Sequence, residues 1–137
     1  MTSRSFFVMA KPDSIKRALL GDIIKRFEVR GFKLLKMKLT QPKEIEDIIP
    51  LHYAEHKGKS FYLDLIKFSL SGPVCAMIWE GNIEVARLLV GATAPQSASL
   101  GSIRGDYACV LPENLIHCSD TSESAAREIE LWSKIFE

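Results

Sequence analysis

The chain is poor in cysteine, and its cysteines show no metal-binding pattern. Cys75, Cys109 and Cys118 are odd in number, and none of them forms the paired short spacing of a zinc site. Disulfides persist in oxidising compartments, whereas thiols stay reduced in the cytosol. We therefore expect reduced thiols in a cytoplasmic protein, and no structural zinc.

Long hydrophobic runs are also missing. The apolar run near the N-terminus extends only from Phe6 to Ala10 and ends at Lys11. A signal peptide or a membrane span needs a longer apolar segment. We therefore expect no membrane partner, and we interpret this run as a buried strand.

A strong net charge is absent as well, because the formal charge is only +1. Nucleic-acid binding depends on neutralising many phosphates with basic side chains. Lys33, Lys36 and Lys38 on one segment offer such a surface as an alternative, but the near-neutral balance disfavours it. We expect no dedicated nucleic-acid site, so any anion must be bound by a local cluster of charges.

The chain of 137 residues has no repeat, low-complexity tract or linker, which predicts a single domain over residues 1–137. Apolar runs and alternation predict strands at 6–10, 32–39, 74–79 and 115–116. The two β-α-β units predict one antiparallel sheet with helices on one face, which is the ferredoxin-like arrangement. The predicted class is α+β, βαββαβ, with a four-stranded antiparallel sheet, helices packed around it and a long functional loop.

Helical spacing of apolar residues predicts the helices between these strands. Asp13 is a candidate N-cap for a helix that continues through Phe27 and stops near Gly31. Apolar residues at 45–52 and 61–68 indicate two more helices, and Asn82 can cap a short one after the third strand. Asp120, with Glu123 three residues later, is typical of a capping box that begins the last helix. The segment from about 91 to 113 is expected to be irregular, and a loop of this length needs a functional reason.

The most informative stretch is Asn114 to Asp120, which reads Asn-Leu-Ile-His-Cys-Ser-Asp. It places His117 between an apolar pair and residues that form hydrogen bonds. A neutral imidazole held by its neighbours is nucleophilic near neutral pH and can attack phosphorus. Several cationic or hydroxyl side chains lie at the ends of the predicted elements, namely Lys11, Arg87, Thr93 and Arg104. Each alone is typical of a solvated surface, but together they could bind a triphosphate.

The histidine motif resembles the active-site signature of the nucleoside diphosphate kinase family, Asn-x-x-His-Gly-Ser-Asp. The resemblance covers about Ser5 to Trp132. Its other landmarks are Lys11-Pro12-Asp13, His52-Tyr53, Ser71-Gly72-Pro73, Trp79-Glu80-Gly81, Gly91-Ala92-Thr93 and Gly101 to Asp106. The resemblance implies transfer of the terminal phosphoryl group of a (deoxy)nucleoside triphosphate to a (deoxy)nucleoside diphosphate, by a ping-pong mechanism through a phosphohistidine.

The resemblance assigns catalytic roles to His117, Lys11, Tyr53, Ser119 and Glu128. His117 would carry the phosphoryl group. Lys11 would contact this group and the ribose region, and Tyr53 would help to position the group. Ser119 and Glu128 would orient the histidine.

The resemblance also assigns nucleotide-binding roles, to Lys11, Phe61, Arg87, Thr93, Arg104, Leu111 and Asn114. Arg87 and Thr93 would hold the inner phosphates and Arg104 the outer ones. Asn114 would bond the ribose. The base would lie between Phe61 and Leu111, a contact that tolerates every base. No protein metal ligand is implied, because Mg²⁺ would arrive with the nucleotide phosphates.

Taken alone, several of these residues have simpler interpretations. Phe61 could belong to the core, Leu111 could plug the sheet, and Tyr53 could pack on its helix. Glu128 could be an exposed partner of Arg127 or Lys134, and Asn114 could cap a turn. His52 and His56 lack a supporting motif and are interpreted as structural.

The chain departs from the family pattern at a few positions. Cys118 stands where glycine is usual, Ala94 replaces an asparagine, and the segment before Arg87 is about two residues short. An alternative function is therefore a nucleotide-binding regulatory protein with reduced turnover. The resemblance implies a homo-oligomer, a hexamer with a tetramer as the alternative, and the short segment after Trp132 leaves its type open.

Overall fold

The protein is built on a four-stranded antiparallel sheet with the strand order β2-β3-β1-β4. The computed structural model describes residues 4–108 and 111–137, so the expectation for the Cys109 thiol lies outside the described residues. The strands are Arg4–Ala10 (β1), Lys33–Thr40 (β2), Val74–Gly81 (β3) and Ile116–Cys118 (β4). The α+β, ferredoxin-like prediction is confirmed.

Eight short α-helices connect or flank the described strands. They are Pro12–Lys16 (α1), Leu20–Val29 (α2), Pro42–Ile45 (α3), Ile48–His52 (α4), Tyr62–Ser69 (α5), Ile83–Val90 (α6), Ile103–Tyr107 (α7) and Ser122–Trp132 (α8). Three 3₁₀ helices cover Ala54–His56, Pro95–Ser97 and Ser133–Phe136.

Helices cover both faces of the sheet, so the expectation of one covered face is wrong. Neighbouring residues of a strand point to opposite faces. Phe6 of β1 belongs to a core with Phe27 of α2, whereas Phe7 belongs to a second core with Ile49 of α4 and Trp132 of α8. Both faces of β1 are therefore buried, which explains why its sequence is continuously apolar rather than alternating.

Two predicted helix caps are wrong. Asp13 lies inside α1, which begins after Lys11, and its Oδ2 atom accepts the backbone N–H of Leu115 across the fold, at 3.0 Å. The cap of α8 is Thr121, whose hydroxyl accepts from the N–H of Ser124, while Asp120 pairs with a distant arginine. The cap at Asn82 is confirmed, because its side chain accepts from two N–H groups of α6. The carboxylates of Asp13 and Asp120, which were expected to cap helices, thus bind groups that are distant in sequence.

The first predicted helix is broken in two, although its stop near Gly31 is confirmed. Ala18, between α1 and α2, has a φ angle of 58°, which no regular helix accommodates. The apolar spacing continues across this break because both helices pack on the same core. The spacing of apolar residues therefore predicted the buried face of this segment correctly, but it did not predict that the chain changes direction at Ala18.

The long segment before β4 contains more structure than expected. Residues Ile103–Tyr107 form α7, with the hydroxyl of Ser102 accepting from the N–H of Gly105. A Cβ atom on Gly105 would lie 1.9 Å from the carbonyl oxygen of Ser99, so the turn packs too closely for any side chain there. This packing fixes the helix that carries Arg104.

Strand β2 is largely exposed, although its alternation of lysines and apolar residues is typical of a half-buried strand. Leu35, Met37 and Leu39 are each about half exposed. Within the described part of the chain, β2 pairs only with β3, and its outer edge is open. Across the same residues, none of the helices combines the length and the apolar character that crossing a membrane requires.

Candidate active site

One pocket of about 440 Å³ opens beside β4, and most of the candidate residues line it. Its size falls within the range of small-molecule sites. The predicted residues that line it are Lys11, Tyr53, Phe61, Arg87, Thr93, Arg104, Leu111, Asn114 and His117. Ser119 and Glu128 lie behind His117 rather than in the wall. The fold thus brings together residues that are more than one hundred positions apart in sequence.

His117 is held from behind by the carboxylate of Glu128. The Nε2 atom of His117 lies 3.0 Å from Oε2 of Glu128, and the hydroxyl of Ser119 donates to Oε1 of the same carboxylate at 2.6 Å. An ionised carboxylate only accepts hydrogen bonds, so Nε2 of the imidazole must carry the proton. This tautomer leaves Nδ1 with its lone pair free.

Glu128 is only 4% exposed, so its interpretation as an exposed ion-pair partner is wrong. Its nearest arginine contact, to Arg127, is 4.0 Å long. Burial raises the pKa of Glu128, while the hydrogen bond from the Ser119 hydroxyl acts in the opposite direction. The hydroxyl of Ser119 also accepts from the N–H of Phe7 at 3.0 Å, which ties the pair to the sheet.

The imidazole of His117 is neutral. Burial lowers its pKa to about 3, and the nearby charges of Lys11 and Arg104 act in the same direction. A neutral ring is required for nucleophilic attack, because a protonated ring has no lone pair. The positive charges that would attract a phosphate group thus also keep the imidazole of His117 neutral.

Lys11 lies at the end of β1 and is buried. Its ammonium group donates to Oδ1 of Asn114 at 2.9 Å, and the amide group of Asn114 donates to the carbonyl of Thr93 at 3.0 Å. Burial, together with the charge of Arg104, lowers the pKa of Lys11 to about 7, and the carboxylate of Asp13 acts in the opposite direction. An anionic ligand beside Lys11 would stabilise the charged ammonium form and so raise its pKa towards the ordinary value.

Arg104 shapes the pocket through backbone carbonyls. Its guanidinium donates to the carbonyls of Asn114 and Gly91, at 3.2 and 3.0 Å, and also to that of Ile116. Burial lowers its pKa to about 10. Bonds to the described residues use three of its five N–H groups, so with respect to these residues two remain for a ligand.

Arg87 lines the same pocket and lies beside β4. Its guanidinium donates to the carbonyl of Cys118 at 2.9 Å and pairs with Asp120 at 3.1 Å. The shorter segment before Arg87 therefore leaves it in the pocket.

A strained backbone conformation two residues before His117 is held by α1 and by the residue that precedes it. Leu115 has a φ angle of 73°, in the left-handed region that non-glycine residues rarely adopt. Its N–H bonds the Asp13 carboxylate, and its carbonyl accepts from the N–H of Lys11 at 2.9 Å. These bonds set the direction from which Asn114 and His117 enter the pocket.

The other end of the pocket is aromatic and apolar. Phe61, at the start of α5, is 47% exposed, and Leu111 is similarly exposed. The interpretations of Phe61 as a core residue and of Leu111 as a plug of the sheet are therefore wrong. A flat apolar pair at a pocket mouth suits an aromatic ring system.

Tyr53 and His52 lie beside His117. Their ring centroids are 6.3 and 4.4 Å from that of His117. Burial raises the pKa of Tyr53, so its hydroxyl stays protonated.

Cys118 needs no glycine-like backbone. It lies in extended β4 opposite Val8, and its side chain is buried in the core. Burial raises the pKa of its thiol to about 12, so the thiol is not nucleophilic. Cys118 lines the pocket, so the substitution that motivated the regulatory alternative adds an unreactive residue to the pocket wall.

Sequence reasoning missed several residues of the pocket wall, namely His52, Glu55, His56, Asp64, Leu65, Pro112 and Asp120. Leu65 could have been found, because it follows Phe61 by four residues on a helix. The two histidines carried no such signal.

The fold and the pocket define a small α+β protein with a cationic site for a phosphorylated ligand that carries an aromatic group. Residues 4–137 match the family model described as nucleoside diphosphate kinase. A nucleoside diphosphate kinase of Schizosaccharomyces pombe is 48% identical over 134 residues, covering 96% of this chain and 87% of the relative. One from Carboxydothermus hydrogenoformans is 52% identical over 130 residues, covering 93% and 86%.

Solved structures agree with these relatives. A nucleoside diphosphate kinase of Halobacterium salinarum in complex with CDP superposes with a TM-score of 0.87 at 43% identity, covering 95% of this chain and 87% of that chain. The apo enzyme of Encephalitozoon cuniculi superposes with a TM-score of 0.90 at 40% identity, covering 100% and 90%. The chain belongs to the nucleoside diphosphate kinase family, and it is an enzyme, a nucleotide-binding kinase.

Proposed function

We propose that the protein moves the terminal phosphoryl group of a nucleoside triphosphate to a nucleoside diphosphate through a phosphorylated His117. The observation that carries the proposal is the 3.0 Å contact of Nε2 of His117 with Glu128, which leaves Nδ1 free in a pocket lined by three basic side chains. These are Lys11, Arg87 and Arg104.

In the first half-reaction, Nδ1 of His117 attacks the terminal phosphorus, and the bond from phosphorus to the bridging oxygen breaks. The nucleoside diphosphate leaves with that electron pair. The imidazole becomes more positive as the new bond forms, and the Glu128 carboxylate stabilises this charge through the Nε2–H group. In the second half-reaction, the terminal oxygen of another diphosphate attacks the same phosphorus and restores the neutral imidazole.

Binding roles follow from position in the pocket. Lys11 and the two free N–H groups of Arg104 would contact the transferring group, while Arg87 and the hydroxyl of Thr93 would hold the inner phosphates. Asn114 would bond the ribose, and Tyr53 would hold the phosphoryl group beside His117. The base would stack between Phe61 and Leu111, which favours no single base.

The donor set of this pocket fits Mg²⁺ that enters with its nucleotide. Asp120 is the carboxylate that lines the phosphate end, and it already pairs with Arg87. Mg²⁺ would therefore be held by phosphate oxygens and water, with Asp120 as the available protein oxygen. When bound, the ion neutralises phosphate charge.

The same proposal extends to assembly and location. The exposed apolar side chains of β2, beside its open edge, support a homo-oligomer, and we infer a hexamer with a tetramer as the alternative. The free thiols of Cys75 and Cys118 support a cytoplasmic protein. Both cores share the strands of one sheet, which supports a single domain over residues 1–137.

The deciding experiment is incubation with ATP labelled on its terminal phosphate. We expect an acid-labile, alkali-stable label on the wild type, which an added diphosphate removes as labelled triphosphate. His117→Ala should take up no label, whereas the control His56→Ala, also in the pocket wall, should be labelled. Equal labelling of His117→Ala and wild type would refute the assignment of the nucleophile.

A further inference from the structure

His52 is a buried histidine for which the proposed reaction has no use. Its side chain is 1% exposed, yet it contributes to the wall of the pocket next to His117. Together with Glu128 these two histidines form a compact group. One ring nitrogen of each histidine and one carboxylate oxygen all lie within 4.8 Å of one another.

A hydrogen bond from Trp132 decides which nitrogen of His52 carries the proton. The indole N–H of Trp132 donates to Nδ1 of His52 at 3.0 Å. An indole can only donate, so Nδ1 of His52 must hold a lone pair. Burial lowers the pKa of His52 well below its ordinary value, and the ring is neutral. Its proton therefore lies on Nε2.

That Nε2–H group has no hydrogen-bond partner among the residues that the structure describes. Buried donors are nearly always paired, so an unpaired one is a site that a ligand or a change of protonation could use. Since Nδ1 is occupied by Trp132, Nε2 is the nitrogen that His52 can offer to the group.

The chemistry of the group matches a transition metal and not magnesium. Two imidazole nitrogens and one carboxylate are a common zinc ligand set, with a fourth position left for water. Ligands of a tetrahedral zinc ion lie about 3.4 Å apart, given Zn–N distances of about 2.1 Å. The 4.8 Å limit therefore requires only small side-chain movements, and the pocket provides the entry path.

We propose that His52, His117 and Glu128 form a latent Zn²⁺ site, and that the Trp132–His52 hydrogen bond holds its affinity down. Metal binding needs a lone pair on Nε2 of His52. The ring proton must then move to Nδ1, where it would face the indole N–H and break that bond. Trp132 thus keeps His52 in the tautomer that does not bind a metal.

Occupation of this site would inhibit phosphotransfer, a consequence that rests on the proposed function. Zinc on Nε2 of His117 displaces the proton shared with Glu128, and the neutral ring then carries its proton on Nδ1. That nitrogen loses the lone pair that attacks phosphorus. Inhibition would therefore come from the wrong tautomer and would not require zinc to compete with the nucleotide.

The test is calorimetric titration of the nucleotide-free protein with ZnCl₂. Trp132→Phe keeps an aromatic ring against Phe7 and removes the indole donor, so it should bind Zn²⁺ roughly tenfold more tightly than the wild type. His52→Asn, alone or combined with Trp132→Phe, should weaken binding at least about tenfold. The matched control His56→Asn removes a histidine outside the group and should leave the affinity unchanged.

Equal zinc affinity in wild type and His52→Asn would overturn the proposal, and this comparison decides even if Trp132→Phe does not fold. Equal weakening by His56→Asn would also overturn it, because binding would then be adventitious. Phosphotransfer is measured separately, first without zinc and then at free Zn²⁺ concentrations held by a metal buffer. If the wild type shows no phosphotransfer in the absence of zinc, the proposed function is wrong. The calorimetry would still decide whether the metal site exists.

Discussion

Replacing Glu128 by glutamine should slow phosphorylation of His117 while leaving nucleotide affinity nearly unchanged. The carboxylate accepts from Ser119 at 2.6 Å and from Nε2 of His117 at 3.0 Å. A glutamine has one acceptor oxygen and one NH₂ group. The oxygen must face His117, because an NH₂ group there would force the imidazole proton onto Nδ1. The NH₂ group must then donate to Ser119.

The structure allows this rearrangement. The hydroxyl of Ser119 lies 3.2 Å from the carbonyl of Phe7 and can redirect its own hydrogen there. What is lost is the charge of the acceptor. Hydrogen bonds to charged groups contribute ~1.5–3 kcal/mol and neutral ones ~0.5–1.5 kcal/mol, so the difference is ~1–1.5 kcal/mol. If it is expressed in the transition state, the rate falls roughly tenfold.

Glu128→Leu is the more severe comparison. It leaves the His117 proton without an acceptor, so the reactive tautomer is no longer selected, and we expect a loss on the order of 10²–10⁴-fold. The assay is single-turnover phosphorylation of the protein by ATP, followed by rapid quenching. Glu123→Gln, the same change on the exposed first turn of α8, is the control and should match the wild type.

The reasoning would be refuted if Glu128→Gln phosphorylates as fast as Glu123→Gln, or if Glu128→Leu is no slower than Glu128→Gln. Urea unfolding of each variant separates these results from a loss of folded protein. Burial raises the pKa of Glu128, which means that keeping the ionised carboxylate in the folded protein costs free energy. The free energy of unfolding of Glu128→Gln should therefore be at most ~1 kcal/mol below that of the wild type.

Three further predictions concern the rest of the site. Phe61→Ala should raise KM for all nucleotides alike, by about tenfold, because base stacking contributes ~1–3 kcal/mol; a loss confined to one base in steady-state assays would contradict it. Because the pKa of Lys11 is lowered to about 7, its charge is lost as pH rises through that value, so kcat/KM should fall above pH 7. Lys11→Gln should show no such limb in the same pH profile, and an unchanged limb would assign it to another group. Gly105→Ala should destabilise the protein by ~2–4 kcal/mol in urea unfolding, because the new Cβ would lie 1.9 Å from the Ser99 carbonyl; wild-type stability would show that the turn is not closely packed.

The proposed zinc site differs from the proposed Mg²⁺ site in the ligands that it offers. Mg²⁺ prefers oxygen ligands and, in the proposed reaction, would enter with the phosphates, whereas the group of His52, His117 and Glu128 would offer nitrogen ligands behind the proposed nucleophile. The two ions would therefore act at different places, and zinc would inhibit the protein even when Mg²⁺ is saturating.

The sequence alone was sufficient to predict the four-stranded sheet and the polar residues that could bind a triphosphate. Strand β1 is a continuous apolar run, which marks burial on both faces whatever the surrounding topology. The stop near Gly31 and the cap at Asn82 are local chemistry, so a short window of sequence contains all that decides them. The resemblance around His117 was equally local, since its motif occupies seven consecutive residues.

Tertiary structure alone decided what those residues contact. Asp13 and Asp120 have the sequence context of helix caps, yet each forms a stronger contact with a group brought close by the fold, at Leu115 and Arg87. Glu128 lies in a charged helical stretch, and only packing against the sheet shows that it is buried behind His117. No chemical role could be read from the sequence for His52, because its tautomer depends on Trp132, eighty residues later. Sequence patterns report burial and local bonding. The partner of a buried polar group, and hence its tautomer and charge, depends on distances that only the folded chain sets.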